Sequence, residues 1–407
     1  MKKLLALALS LVLCLTVLAG CGGNPDEKSF KVGCIMVGDE TEGYTFAHIK
    51  GIKDACKALG IPDENIIWKY KVGEDESCQT AAEDLINAGC KLIISNSYGH
   101  QDYMNAVAKK HSDVQFVAMT GDTAKKDNLD NFSNAFTKVY ESRYVSGVVA
   151  GLKIKELVES GKLTDKNYSD GKVKVGYVGA YNYAEVVSGY TAFFLGIKSV
   201  YPDVVMDVHY TSEWYHWDKE NEACKALIQR GCVIIGQHAD STGAPSAAED
   251  ALKAGTVVYS VGYNIDMLPY APTAALTSAS NNWEVYYKYA IGLAKEGKDV
   301  PTNWAEGYET GAVGITDLGK SVAPGTAEKV AEVIAAIKAG TLHVFDTNTF
   351  TVNGQKVTVA YATDTNGDWV NDADNAIKDG YYHESDVTMN QSAPSFSLRI
   401  DGITELN

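Results

Sequence analysis

The chain has 407 residues, 45% of them apolar, and its 52 acidic against 36 basic side chains give a formal charge of −16. That is length enough for two domains and apolar material enough for large cores. The acidic balance excludes the basic surface that nucleic-acid binding needs, and it argues against direct adhesion to anionic lipid.

Lys2 and Lys3 precede an almost unbroken apolar run, Leu4 to Val17, which ends in Leu18-Ala19-Gly20-Cys21. A charged start, an apolar stretch short for a bilayer span and small residues before a cysteine make a lipoprotein signal. Residues 1–20 are expected to be removed, leaving Cys21 as the lipid anchor on the extracytoplasmic face of the cell membrane. Residues 21–29 are small, polar and charged beyond the cysteine, which suits a flexible tether.

From Phe30 onward, short β-branched runs alternate with helical patterns. The first half reads as strand Lys31–Val37, helix Thr45–Leu59, strand Asn65–Tyr70, helix Glu76–Ala88, strand Lys91–Ser95, helix Gln101–Lys110 and strand Val114–Met119. A long helical stretch, Glu141–Ser160, carries Gly147 and Gly151 on one side, small enough to pack closely against a sheet. The pattern then restarts with strand Val173–Val178, helix Ala184–Val200, strand Val204–Tyr210, helix Asp218–Arg230, strand Val233–Ile235, helix Pro245–Ala254 and strand Val257–Val261. Such alternation predicts an α/β fold of two doubly wound lobes with parallel sheets. Residues 30–137 with about 281–300 are expected to form lobe 1, and residues 138–280 with about 301–340 lobe 2. Residues 341–407 read as an extension packed on a lobe, with hairpins at Lys356–Tyr361 and Ser397–Ile400.

Ligands of open α/β sheets sit beyond the carboxyl ends of the strands. Those positions hold Asp39, Tyr44 and Phe46, then Tyr98, then Asp122 in the first lobe. In the second they hold Tyr181, Trp214, His238, Asp240, Asn264 and Asp266. Aromatic faces stack on flat rings, while amides and carboxylates meet donors and acceptors at a ring edge. No basic cluster for a phosphate occurs there. Taken singly, each residue also fits a structural role: the aspartates as helix caps, Trp214 and Trp217 as cover for one seam, His238 as a loop support. Their recurrence at successive strand ends carries the ligand reading.

No dinucleotide, P-loop, nucleophile-elbow or HExxH motif is present, so no catalytic residue, cofactor or metal is expected. The acidic run from Asp364 resembles the start of a calcium loop, but position twelve is Asn375 rather than a bidentate glutamate. Beyond Cys14 and Cys21, six cysteines remain: Cys34, Cys56, Cys78, Cys90, Cys224 and Cys232. They read mostly as small buried hydrophobes, although an exposed compartment permits one or two disulfides.

Asn131-Phe-Ser-Asn-Ala-Phe, followed by Tyr140-Glu-Ser-Arg-Tyr-Val-Ser-Gly-Val-Val-Ala-Gly, resembles the central segment of the basic membrane protein (BMP) family of lipoproteins. Gly189-Tyr-Thr-Ala-Phe-Phe-Leu-Gly-Ile-Lys, Gly236-Gln-His-Ala-Asp-Ser, Val261-Gly-Tyr-Asn-Ile-Asp-Met and Asn282-Trp fit the same pattern. The likeness runs from about Phe30 to Ala339. It implies a type I periplasmic-binding-protein fold with hinged lobes, and a role as the substrate-binding component of an ABC importer with its permease and ATPase. The implied ligand is a purine nucleoside or free purine base. In the family an aromatic near the first strand stacks on the base, which places Phe46 or Tyr44 in that role. The usual Ser-Phe-Asn is Thr45-Phe46-Ala47 here, and the usual Gly-Val-Asp is Gly262-Tyr263-Asn264. These departures weigh against an intact nucleoside, and the Gln-His-Ala-Asp-Ser and Trp-rich loops resemble a branch that takes a free base, stacked on Trp214 or Trp283 and read at its edge by His238 or Asp240; nucleoside and base both stay open. A sugar or signalling-molecule receptor on the same fold, and more remotely a nucleoside hydrolase, are the alternatives. The expected state is a monomer.

Overall fold

The computed structural model describes residues 30–362, 375–387 and 392–407. The signal, Cys21, the tether and residues 364–374 of the acidic run lie outside the described residues.

The first lobe begins with β1 (Val32–Ile35), α1 (Gly43–Ala58), β2 (Ile66–Lys69), α2 (Glu76–Asn87), β3 (Leu92–Ser95), α3 (Gln101–Ala108), β4 (Gln115–Met119), the short α4 (Ala124–Asp127) and β5 (Phe132–Thr137). The second continues with α5 (Val139–Glu159), β6 (Tyr168–Ser169), β7 (Lys172–Gly179), α6 (Ala184–Val200), β8 (Val204–Tyr210), α7 (Trp217–Gln229), β9 (Ile234–Gln237), α8 (Gly243–Lys253), β10 (Tyr259–Tyr263) and β11 (Ala275–Asn281). The chain then returns to the first lobe with α9 (Trp283–Lys295) and β12 (Asn303–Glu306). It ends in the second with β13 (Val313–Ile315), α10 (Thr326–Lys338), the small ribbon β14 (Ile377–Lys378) and β15 (Tyr381–Tyr382), and β16 (Ile403–Glu405).

Sheet 1 has the order β12-β5-β4-β3-β1-β2 and is parallel throughout. Sheet 2 runs β13-β11-β10-β9-β7-β8-β16, with β13 antiparallel at one edge and β6 paired antiparallel with β7. Every residue of β1, β3 and β9 is buried, as strands covered on both faces require. In lobe 1, α1 and α9 share a core with one face of the sheet, and α2 and α3 with the other. In lobe 2, α5, α6 and α10 cover one face and α7 and α8 the other. Both sheets reverse their winding beside their first strand, β1 and β7, so the carboxyl ends there open a crevice in each lobe.

Three crossings join the lobes, and they are bonded to one another. Thr137 Oγ1 donates to Asn281 Oδ1, linking the first crossing to the second. Lys138 N donates to the Glu306 carbonyl (2.8 Å), linking the first to the third. Tyr308 N donates to Glu141 Oε2 (2.8 Å).

Three expectations need correction. Residues 303–306 belong to sheet 1 beside β5, so the return to lobe 1 extends past residue 300. Gly147 and Gly151 face α6 rather than a sheet: a Cβ on Gly147 would lie 2.1 Å from the Phe193 carbonyl oxygen. Lys356–Tyr361 and Ser397–Ile400 form no strands; the extension is pinned instead by Glu384, whose Oε2 accepts from Ser395 N and Phe396 N. The six described cysteines are buried free thiols. No described helix is long and apolar enough to cross a membrane.

Candidate functional site

The carboxyl ends of the two sheets face each other across a cleft, the usual place for a ligand in open α/β sheets. Lobe 1 contributes Val37, Glu42, Tyr44, Glu74, Ser97, Tyr98 and Thr120, and lobe 2 contributes Glu185, Trp214, His238, Asp240 and Tyr263. A second chamber adjoins it, sharing Tyr98, Thr120, Glu185 and Trp214 and reaching Asp122, Tyr183 and Arg399 of the extension.

Matching strand ends shape this cleft. Thr120 follows β4 and Asn264 follows β10, each the fourth strand of its lobe's βα series. Both adopt left-handed backbone, φ 62° in each case. Their amides donate to the carbonyl oxygens of Ala135 and Ala279 in the next strand (2.8 and 2.9 Å). Asparagine visits that region readily, whereas a β-branched threonine does not, so Thr120 carries strain of about 1 kcal/mol or more.

Tyr44 sits in the first turn of α1 and donates its hydroxyl to the Asn96 carbonyl. Its ring meets His48 edge-on (4.5 Å, 70°), and His48 in turn stacks on Trp283 (4.5 Å, 20°). Trp283 is 1% exposed and forms part of the lobe 1 core. It backs the tyrosine through His48 and does not line the cleft. Trp214 does line it, set edge-on against Tyr181 (5.3 Å, 61°), which stacks on Tyr183. Tyr181 thus supports the lining from behind.

Four of the polar groups in the lining are carboxyls. Asp240 is buried and accepts from Asn264 Nδ2 at 2.6 Å; Asn264 accepts in turn from Asn281 Nδ2 at 3.1 Å. The asparagine is therefore a buttress of Asp240, one step removed from the lining. Burial holds the Asp240 carboxyl well above the usual carboxylate range, with Glu42, Glu220 and Glu185 adding to the effect and the Asn264 amide opposing it. Glu42 is also shifted upward by burial, against the hydrogen bond from Thr45 Oγ1 (2.5 Å). His238 is pushed down to about 4 by burial, then by the nearby Arg143. Its neutral ring places Nε2 3.2 Å from Glu185 Oε1. Arg143, 2% exposed, lies with its guanidinium carbon 3.5 Å from the Tyr263 ring centroid.

Of the residues expected at the site, Tyr44, Tyr98, Trp214, His238 and Asp240 come together in the lining. Asp122 lies in the adjoining chamber, where Tyr98 and Gln101 donate to it (3.1 Å each). Asp39 instead forms an ion pair with Lys71 (2.7 Å) and accepts from Thr41 N. Asp266 is exposed and accepts from Leu268 N (3.0 Å), a turn role. Phe46 is 44% exposed and absent from both chambers, because it lies two residues beyond Tyr44 on a helix whose inward face Tyr44 occupies. Sequence reasoning missed Val37, Glu42, Glu74, Ser97 and Glu185. Glu74 comes from the loop after β2, a strand end that went unread. Glu185 opens α6 directly after the aromatic run Tyr181–Tyr183.

A family model described as Bmp, ABC transporter substrate-binding protein PnrA-like, matches residues 40–347. A purine-binding protein of Brucella abortus is 33% identical over 80% of this chain and 85% of its own length. A putative ABC transporter glucose-binding protein of Haloferax volcanii is 29% identical over 76% of this chain and 73% of its own. Among solved structures, an ABC transporter solute-binding protein of Conexibacter woesei matches with a TM-score of 0.60 and 18% identity, covering 77% of this chain and 98% of that one. This last likeness bears on the fold: two α/β lobes of the solute-binding type.

Proposed function

Since the chain belongs to the Bmp family of PnrA-like ABC transporter substrate-binding proteins, we propose that it captures a purine, as base or nucleoside, between its lobes. It then presents the ligand to a membrane permease driven by a separate ATPase. The observation that carries this reading is the cleft lining. Tyr44, Trp214 and Tyr263 offer faces for a flat heterocycle, and the carboxylates beside them accept from ring-edge N–H groups. The adjoining chamber offers a direction in which a ribose could extend. The purine-binding relative supports the ligand class. In this reading the protein works as a monomer, held to the outer face of the membrane by lipid on Cys21, and Cys21→Ser would release it from the membrane fraction.

A sugar ligand is the second reading, favoured by the likeness to the putative glucose-binding protein. Thermal unfolding of residues 22–407, stripped of ligand by unfolding and refolding, separates the two. A ligand at about a thousand times its Kd adds roughly 4 kcal/mol, a shift on the order of 10 °C. A shift with purines alone supports purine capture. A shift with glucose and none with any purine overturns it.

A further inference from the structure

The cleft is chemically one-sided. Among the described residues lining it are four carboxylates, Glu42, Glu74, Glu185 and Asp240, and neither lysine nor arginine. Four of its five hydroxyls already donate to protein acceptors: Ser97 to Glu74 Oε1 (2.5 Å), Tyr98 to Asp122 Oδ2 (3.1 Å), Thr120 to the Met119 carbonyl (2.6 Å) and Tyr44 to the Asn96 carbonyl. The amides of Val37, Thr120 and Asp240 are engaged with Asn96 Oδ1 and the carbonyls of Ala135 and Trp214. His238 spends its Nε2–H on Glu185. Among the hydroxyl and ring N–H groups of the described lining, the Tyr263 hydroxyl and the Trp214 indole N–H are left to donate. Arg143 is turned to the Gln237 carbonyl and the Tyr263 ring, outside the lining.

We propose that this cleft selects purines carrying an exocyclic amino group, adenine and guanine or their nucleosides, over the deaminated hypoxanthine and xanthine. The proposal rests on the purine reading above. An amino group, or the adjacent ring N–H and amino group of guanine, gives N–H donors to a carboxylate. A carbonyl oxygen in the same place sets lone pairs against negative charge and leaves a desolvated acceptor without a partner. Sites built to hydrogen-bond one group reject the analogue lacking it far more strongly than apolar pockets reject a change of size. Glu185, standing beside His238, and Glu74, exposed at the mouth, are the specificity-determining acceptors.

Calorimetric titration of the stripped protein with adenine against hypoxanthine, and guanine against xanthine, tests this at neutral pH. The amino member of each pair is expected to bind roughly 10- to 100-fold more tightly, the factor associated with one unpaired buried polar group. Glu185→Gln and Glu74→Gln each turn an acceptor into an amide that can also donate. At least one should narrow a ratio fivefold or more, chiefly by strengthening the oxo member; the exposed Glu74→Gln serves where Glu185→Gln impairs folding. Oxopurines binding as tightly as their amino partners, or ratios unmoved in every folded variant, would overturn the selectivity while leaving purine capture standing. If no purine binds at all, the purine reading itself has failed.

Discussion

Replacing Trp214 with alanine isolates the stacking contribution from the architecture around it. The indole lines the cleft and is only partly buried, with Tyr181, Tyr183 and His238 around it at ring separations of 5.3, 6.2 and 6.3 Å. Its backbone carbonyl accepts from Asp240 N at 2.8 Å, a bond the substitution keeps, so the carboxylate stays where it is. Stacking of a base on an aromatic side chain is worth about 1–3 kcal/mol by alanine substitution. Kd for the bound purine should therefore rise roughly 5- to 150-fold. Trp214→Phe retains a ring face and should stay within about threefold, the low end of that scale. Calorimetry on the stripped protein reads the affinity, and thermal unfolding without ligand verifies that the variant is folded. An alanine variant that is folded and binds within twofold of the parent would refute stacking at this position and remove the main aromatic support for a flat ligand.

Three further outcomes follow from the same structure. Phe46→Ala should leave purine affinity within twofold, because the ring is exposed and lies outside both chambers; a tenfold loss by calorimetry would restore it to the site. Gly147→Ala forces a methyl against the Phe193 carbonyl oxygen at 2.1 Å, so it should cost about 1–3 kcal/mol or more, lowering Tm by roughly 5–10 °C; an unchanged Tm would mean that α5 and α6 can separate freely. Glu220 is buried and raised to about 7 from 4.5 by desolvation, despite amide hydrogen bonds from His216 and Ser241. The unfolded chain ionises first, so the wild type loses stability as pH climbs from 4.5 to 7 and levels off above. Glu220→Gln removes that loss, and urea denaturation across this window should show the variant gaining about 3 kcal/mol on the parent; parallel curves would refute the shift.

Both lobes were legible because each strand is a short β-branched run between helices of ordinary length, a period change that local sequence carries. The crossings were harder. β12 is four residues, Asn303–Glu306, with no apolar run to announce it, and only its pairing with β5 assigns it to sheet 1. The extension misled for a related reason: its alternating stretches look like hairpins, yet it is held by side-chain bonds to Glu384 and by β16 joining a distant strand. At the site, strand-end reading found Trp214, His238 and Asp240, whose loops point one way only. It erred on α1, where Tyr44 and Phe46 are equally good aromatics and helical phase alone decides between them. Trp283, expected from the resemblance, lies off the lining, since an asparagine-tryptophan pair at a helix start does not reveal that His48 stands between the indole and the cleft.

β16 lies at the outer edge of sheet 2 and takes its register from β8, Ile403 opposite Met206 and Glu405 opposite Val208. Glu405 also accepts from the hydroxyl of Tyr210, 195 residues earlier in the chain. Until residues 403–405 emerge from the ribosome, β8 is an uncovered seven-residue edge, the kind of strand that recruits another chain. Closing so long a loop is entropically slow, which delays completion of the second lobe. A chain that must reach its destination before it folds gains time from that delay, and a nonsense truncation ahead of Ile403 would yield aggregation-prone material instead of a shortened receptor.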